Sequence, residues 1–126
     1  MNVLCWNCRG LGNLLTEQEL GDLIRAQDPS VVFLAETWLD KARLVDIRTR
    51  LNFGGMIEVG RETRGGGIAI FWKKNVNFSL GTFSPNHMDG ILNKRKKDEW
   101  RFTGFYRQPN TSNHHLSWLC LRRLKT

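Results

Sequence analysis

The chain has 126 residues, 40% of them apolar, which allows one packed domain and no more. Its net charge of +7 and pI near 9.8 favour a polyanionic partner, nucleic acid before a membrane surface, over a merely solvated basic surface. No apolar stretch approaches the ~20 residues that span a bilayer, and no basic segment followed by an apolar core marks a secretory leader.

Asn2 to Asn7 reads as a strand, and residues 8 to 13 as a Gly-rich turn. Thr16-Glu17-Gln18-Glu19 reads as a capping box, with Leu15 and Leu20 placed as a hydrophobic staple. The helix it opens runs to about Gln27, buries Leu20, Leu23 and Ile24, and stops at Asp28-Pro29. Val31 to Glu36 is the second strand. This β-α-β order predicts two parallel neighbours joined by a right-handed crossover. Asp40 can cap a second helix through Leu51, with Leu44, Ile47 and Leu51 on one face.

From residue 54 onward short strands alternate with turns. They are Met56 to Val59, Gly67 to Trp72, Val76 to Leu80, Met88 to Leu92, and Trp100 to Tyr106. Lys94 to Asp98 is a charged hairpin tip, and Gln108 to Asn113 a loop. His114 to Lys125 carries Leu116, Leu119, Cys120 and Leu124 at helical spacing, which predicts a final helix.

Three cysteines, Cys5, Cys8 and Cys120, are an odd count that predicts a reduced, intracellular chain. Cys5 lies inside a strand-like run, and Gly10-Leu11-Gly12-Asn13 follows Cys8 at once. That leaves neither the helix start of a redox motif nor the second ligand pair of a zinc site, so these thiols read as packing. His87, His114 and His115 have no metal-ligand spacing with any cysteine. Gly65-Gly66-Gly67 lacks the Lys-Ser/Thr of a phosphate loop and reads as a turn entering a strand.

The most informative residue is Glu36, at the end of the apolar run Val31-Val32-Phe33-Leu34. A buried strand ending in an acid holds it at the rim of a sheet, where α/β folds gather ligands. Asn7 ends the run Val3-Leu4-Cys5-Trp6 in the same way. An amide and a carboxylate at two strand ends suggest a hard-cation site with a phosphate nearby.

Four motifs occur in order: Trp6-Asn7-Cys8-Arg9-Gly10-Leu11-Gly12, Leu34-Ala35-Glu36-Thr37-Trp38-Leu39, Gly66-Gly67-Ile68-Ala69-Ile70 and Gly104-Phe105-Tyr106-Arg107-Gln108-Pro109-Asn110. Together they resemble the endonuclease/exonuclease/phosphatase (DNase I-like) superfamily. Their phrasing is closest to the endonuclease domain of plant LINE-type (non-LTR) retrotransposon polyproteins. The resemblance implies an α/β fold, the N-terminal half of a four-layer α/β sandwich, with residues 1–126 forming a partial domain.

It also implies roles. Glu36 would hold Mg²⁺ or Mn²⁺, Asn7 would position that carboxylate and the scissile phosphate, and Tyr106 would donate a hydrogen bond to the phosphate. Asn110 sits where relatives carry Asn or Asp. Arg9 and Arg107 would contact the DNA backbone, although Arg107 replaces the small residue usual after this tyrosine. Lys94, Arg95, Lys96 and Lys97 read as a solvated tip that adds to phosphate attraction. DNA is the implied partner, with neither a membrane nor a small-molecule cofactor, and the nucleus is the implied compartment.

Relatives complete their chemistry with a Gly-Asp-x-Asn strand and an Asp-His pair. Neither occurs in these 126 residues; Gly21-Asp22 is followed by Leu23-Ile24 in the first helix. The expectation is therefore a truncated metal-dependent phosphodiesterase, inactive as an isolated chain. The alternatives are a non-catalytic, basic nucleic-acid-binding module and a phosphatase of the same superfamily.

Overall fold

The computed structural model describes residues 2–60, 67–107 and 117–124, with Arg107 and the last eight described through their backbone only. Two four-stranded sheets form. The first contains β1 (Val3–Asn7), β2 (Val31–Ala35), β3 (Gly55–Val59) and β4 (Ile68–Trp72), in the order β1-β2-β4-β3. The second contains β5 (Phe78–Ser84), β6 (His87–Leu92), β7 (Trp100–Arg107) and β8 (Ser117–Leu124), in sequence order. β1 and β2 run parallel, as the β-α-β order requires, and every other pairing is antiparallel.

β2 is buried along its whole length, as expected of a strand covered on both faces. Val32 and Leu34 point to a core shared with the helices α1 (Leu14–Gln27) and α2 (Lys41–Arg50), through Leu20, Leu44 and Ile47. Val31, Phe33 and Ala35 point the other way, to a core shared with Met88, Leu92, Phe102 and Tyr106 of the second sheet. The layers are thus helices, first sheet, second sheet. Phe33 and Phe102 join the sheets as a tilted pair, ring centroids 5.8 Å apart. The approach is so close that a Cβ at Gly104 would lie 2.5 Å from the Phe33 ring.

α1 begins earlier than the capping box predicts. Asn13 is the cap, its Oδ1 accepting from the Leu15 amide at 2.8 Å, so Thr16 and Glu17 fall inside the first turns. Leu15 is exposed and forms no staple. Glu17 instead accepts from Arg50 at 2.7 and 3.2 Å, tying α1 to α2. Asp28 ends α1 in the left-handed conformation, and its amide returns to Ile24 O. Asp40 caps α2 as the sequence predicts.

The predicted final helix is a strand where the structure describes it. β8 pairs with β7 over eight residues, from Trp100↔Leu124 to Arg107↔Ser117. Helical spacing over so few residues does not outweigh the hydrogen bonds offered by the open edge of β7, and Trp118-Leu119-Cys120-Leu121 suits a strand. The thiol expectation also changes: Cys8 is free and buried, whereas Cys5 is disulfide-bonded. Cys5 sits on β1 against the core between the sheets, and is not simply a reduced packing residue. Gly65 and Gly66, and residues 108–116 with Asn110, His114 and His115, lie outside the described residues.

Candidate active site

The two strands that the sequence singles out deliver their end residues to one place. In the parallel register Asn7 lies opposite Ala35, which sets Asn7 beside Glu36. Asn7 Nδ2 donates to Glu36 Oε2 at 2.6 Å, and Asn7 Oδ1 accepts from the Arg9 amide at 3.1 Å. The amide therefore fixes the carboxylate on one side and its own loop on the other.

The loops behind these strands are zipped together. The amides of Cys8, Gly10 and Leu11 donate to the carbonyls of Ala35, Glu36 and Thr37 at 2.8 to 2.9 Å. Thr37 N in turn donates to Gly67 O at 3.2 Å, at the start of β4. Glu36 (φ 53°), Arg9 (φ 49°) and Trp38 (φ 57°) all occupy the left-handed region. Such conformations cost about 1–3 kcal/mol each and persist where surrounding bonds over-determine them, typically at functional sites. Gly10 (φ 97°) is required twice over, because a Cβ there would also meet the Trp38 ring at 2.4 Å.

Tyr106 reaches the same rim from the second sheet. It is 3% exposed, and its hydroxyl has no hydrogen-bond partner among the described residues. Its pKa is pushed well up, first by burial, then by Glu36, which lies close enough to act on the hydroxyl as an acceptor and as a charge although no bond of standard geometry forms, with Arg9 opposing. That pattern places Tyr106, Glu36 and Arg9 within electrostatic reach of one another. The Cys8 thiol is also pushed up, by burial first and the Glu36 carboxylate second. Thr37, next to Glu36 in the chain, is a further buried hydroxyl without a partner among the described residues.

A buried tyrosine hydroxyl facing a fixed carboxylate offers a donor and a charge to one ligand. The donors are oxygens, and no group of three His, Cys, Asp or Glu gathers among the described residues. This set does not build a protein cage for zinc or calcium. It does fit a magnesium-like ion, which keeps most of its waters and takes one carboxylate plus substrate phosphate.

Not every candidate joins the site. Arg107 ends β7, so its backbone lies at this rim. Lys94 to Lys97 form the turn between β6 and β7, at the other end of the same strand. Eight strand residues separate that turn from the site rim by roughly 25 Å. The tip is well built: Asn93 accepts from Asn77 N at 3.1 Å and donates to Asp98 at 3.0 Å, and Glu99 accepts from Arg95 N at 2.8 Å. Sequence reasoning missed Trp38 and Arg43, which line a groove beside Arg9. Trp38 was visible inside its motif, but its contact with Gly10 needed the left-handed turn to be known.

The model of the endonuclease/exonuclease/phosphatase family matches residues 4–124. The chain belongs to that family. Among solved structures it is similar to the 3′ phosphatase NExo from Neisseria bound to a product DNA hairpin, at 17% identity and a TM-score of 0.55. That likeness supports the DNase I-like fold. It covers 79% of this chain and 39% of the NExo chain, so this chain spans about two fifths of its length. The search of curated proteins finds no match.

Proposed function

We propose that the chain carries the Asn7–Glu36–Tyr106 part of a divalent-metal-dependent phosphodiesterase acting on DNA, of the kind found in LINE-type retrotransposon proteins. The observation that carries this reading is the 2.6 Å bond that presents the Glu36 carboxylate beside the buried hydroxyl of Tyr106. Glu36 would hold Mg²⁺ or Mn²⁺. When bound, that ion would supply charge neutralisation at the phosphate. Asn7 keeps the carboxylate in place, and Tyr106, held protonated by its surroundings, donates a hydrogen bond to a phosphate oxygen. Arg9 adds positive charge at the same rim. By the family resemblance, Asn110 and Arg107 would add further phosphate contacts.

DNA as the substrate is supported by the +7 charge, and by a structural neighbour that is itself bound to product DNA. The retrotransposon origin rests on the phrasing of the four motifs. A non-catalytic binding module is the second reading, favoured by the basic Lys94–Lys97 tip at the rim away from Glu36. The two readings separate in one titration. Affinity for a short DNA is measured by fluorescence with Mg²⁺ and with EDTA. Tightening by Mg²⁺ that disappears in Glu36→Gln supports the phosphodiesterase reading. Binding indifferent to both Mg²⁺ and Glu36, but lost on charge reversal of the tip, supports the binding module.

A further inference from the structure

A groove of about 310 Å³ opens beside the site, between the loop after β1 and the loop after β2. Its walls are Arg9, Gly10, Gly12, Asn13, Thr16, Trp38, Leu39 and Arg43, and no carboxylate is among them. Three basic side chains are neutralised locally: Arg25 by Asp22, Arg50 by Glu17 and Lys73 by Asp28. Neither Arg9 nor Arg43 has an ion-pair partner among the described residues. The Arg43 amide is committed to the Asp40 cap at 3.0 Å, which fixes the base of its side chain. The guanidinium lies against Gly12, where an added Cβ would be 3.3 Å from Nη1. Trp38 is 40% exposed and lines the same groove.

Asp40 and Glu58 line the adjoining pocket that Arg43 also borders, but neither forms an ion pair with it among the described residues, so an anion in the groove would relieve the repulsion between the two arginines. Guanidinium groups favour phosphate through paired N–H donors, and an indole face suits a sugar or base. Arg9 belongs to both places, since its amide is bonded to Asn7 and its charge acts on Tyr106. The groove therefore continues the line of the site.

We infer that this groove holds the phosphodiester next to the scissile one in a nucleic-acid strand, with Arg43 and Arg9 clamping the phosphate and Trp38 packing on the adjoining nucleoside. The inference rests on the reading of Glu36 as the reaction centre for its register, but not for its binding chemistry. Arg43 is here a strand-positioning residue.

The test is binding of a fluorescent single-stranded oligothymidylate to the full chain in EDTA, where Glu36 and metal play no part. Arg43→Ala is expected to weaken binding roughly tenfold and to lower the slope of log affinity against log salt by about 1, while Arg43→Lys keeps the slope. Trp38→Leu should weaken binding without changing the slope, and circular dichroism should show each variant folded. Unchanged affinity and slope in Arg43→Ala would overturn the inference, even if Glu36→Gln abolished the Mg²⁺ effect. A retained Arg43 effect alongside a Glu36→Gln variant that still responds to Mg²⁺ would instead leave the groove standing and remove the metal site. Competition by inorganic pyrophosphate as effective as by oligonucleotide of equal phosphate content would assign the groove to small phosphates and overturn the nucleic-acid assignment.

Discussion

Asn7 and Glu36 stand at the ends of neighbouring parallel strands, and the amide of one donates to the carboxylate of the other at 2.6 Å. A neutral donor in that position fixes the carboxylate without competing for a cation. Asn7→Asp would replace it with a second negative charge. The two carboxylates then repel unless a cation bridges them. The variant should melt lower than the wild type in EDTA and gain more than the wild type from added Mg²⁺. Thermal unfolding in both buffers checks this, and equal Mg²⁺ gains in the two proteins would count against a cation at Glu36.

Tyr106 is the only tyrosine, which makes its ionisation directly readable by ultraviolet difference absorbance. Its folded pKa lies above the ordinary value near 10, because burial and Glu36 disfavour the phenolate. The unfolded chain loses this proton first as pH rises. Tyr106 therefore leaves stability untouched below pH ~10 and lowers it progressively above, since only the unfolded state gains from ionisation there. At pH ~11 the native chain should show little tyrosinate and the urea-unfolded chain a full signal. Ionisation of the native chain near pH 10 would mean that the hydroxyl is neither buried nor facing the carboxylate.

Gly104 lets the sheets close. A side chain there meets the Phe33 ring, in a core already filled by Phe102 and Met88. Gly104→Val should lower stability by about 1–3 kcal/mol, visible as a shift of the urea midpoint with little change in slope. A pairing of Gly104→Val with Phe33→Leu should recover part of the loss. Additive losses would show that the two positions do not share the contact.

The 126-residue chain contains neither a Gly-Asp-x-Asn nor an Asp-His pair. The water-positioning and charge-stabilising groups that relatives draw from those motifs each supply several kcal/mol of transition-state stabilisation. The chain alone is expected to nick no plasmid DNA in Mg²⁺. Nicking that vanishes in Glu36→Ala would show that another residue serves as base.

The sheet rim was readable because each site residue closes an apolar run, and a run ending in a polar group marks a strand end. The parallel pair followed from the β-α-β order alone. The start of α1 is not decided by sequence because Asn13 and Thr16 are both good caps, and choosing between them depends on how the loop leaves β1. β8 is hidden in the sequence because Leu116, Leu119, Cys120 and Leu124 fit a helical stripe, whereas the deciding factor is the free edge of β7, a property of the assembled sheet. The distance of Lys94–Lys97 from Glu36 was likewise hidden. Charge is visible in a sequence, but which end of a strand a turn occupies relative to the site is settled only by the packing of one sheet on the other. The left-handed Glu36, Arg9 and Trp38 had no sequence signal at all, since only glycine announces that conformation.

The central claim is that Glu36, held by Asn7, is a cation ligand. Direct binding of Mn²⁺ to the full chain, followed by electron paramagnetic resonance without nucleic acid, tests it without recourse to activity. The account predicts one weak site that is lost in Glu36→Gln and retained in Glu58→Gln, a carboxylate on β3 outside the cluster. Mn²⁺ binding of equal strength in the wild type and Glu36→Gln would contradict it.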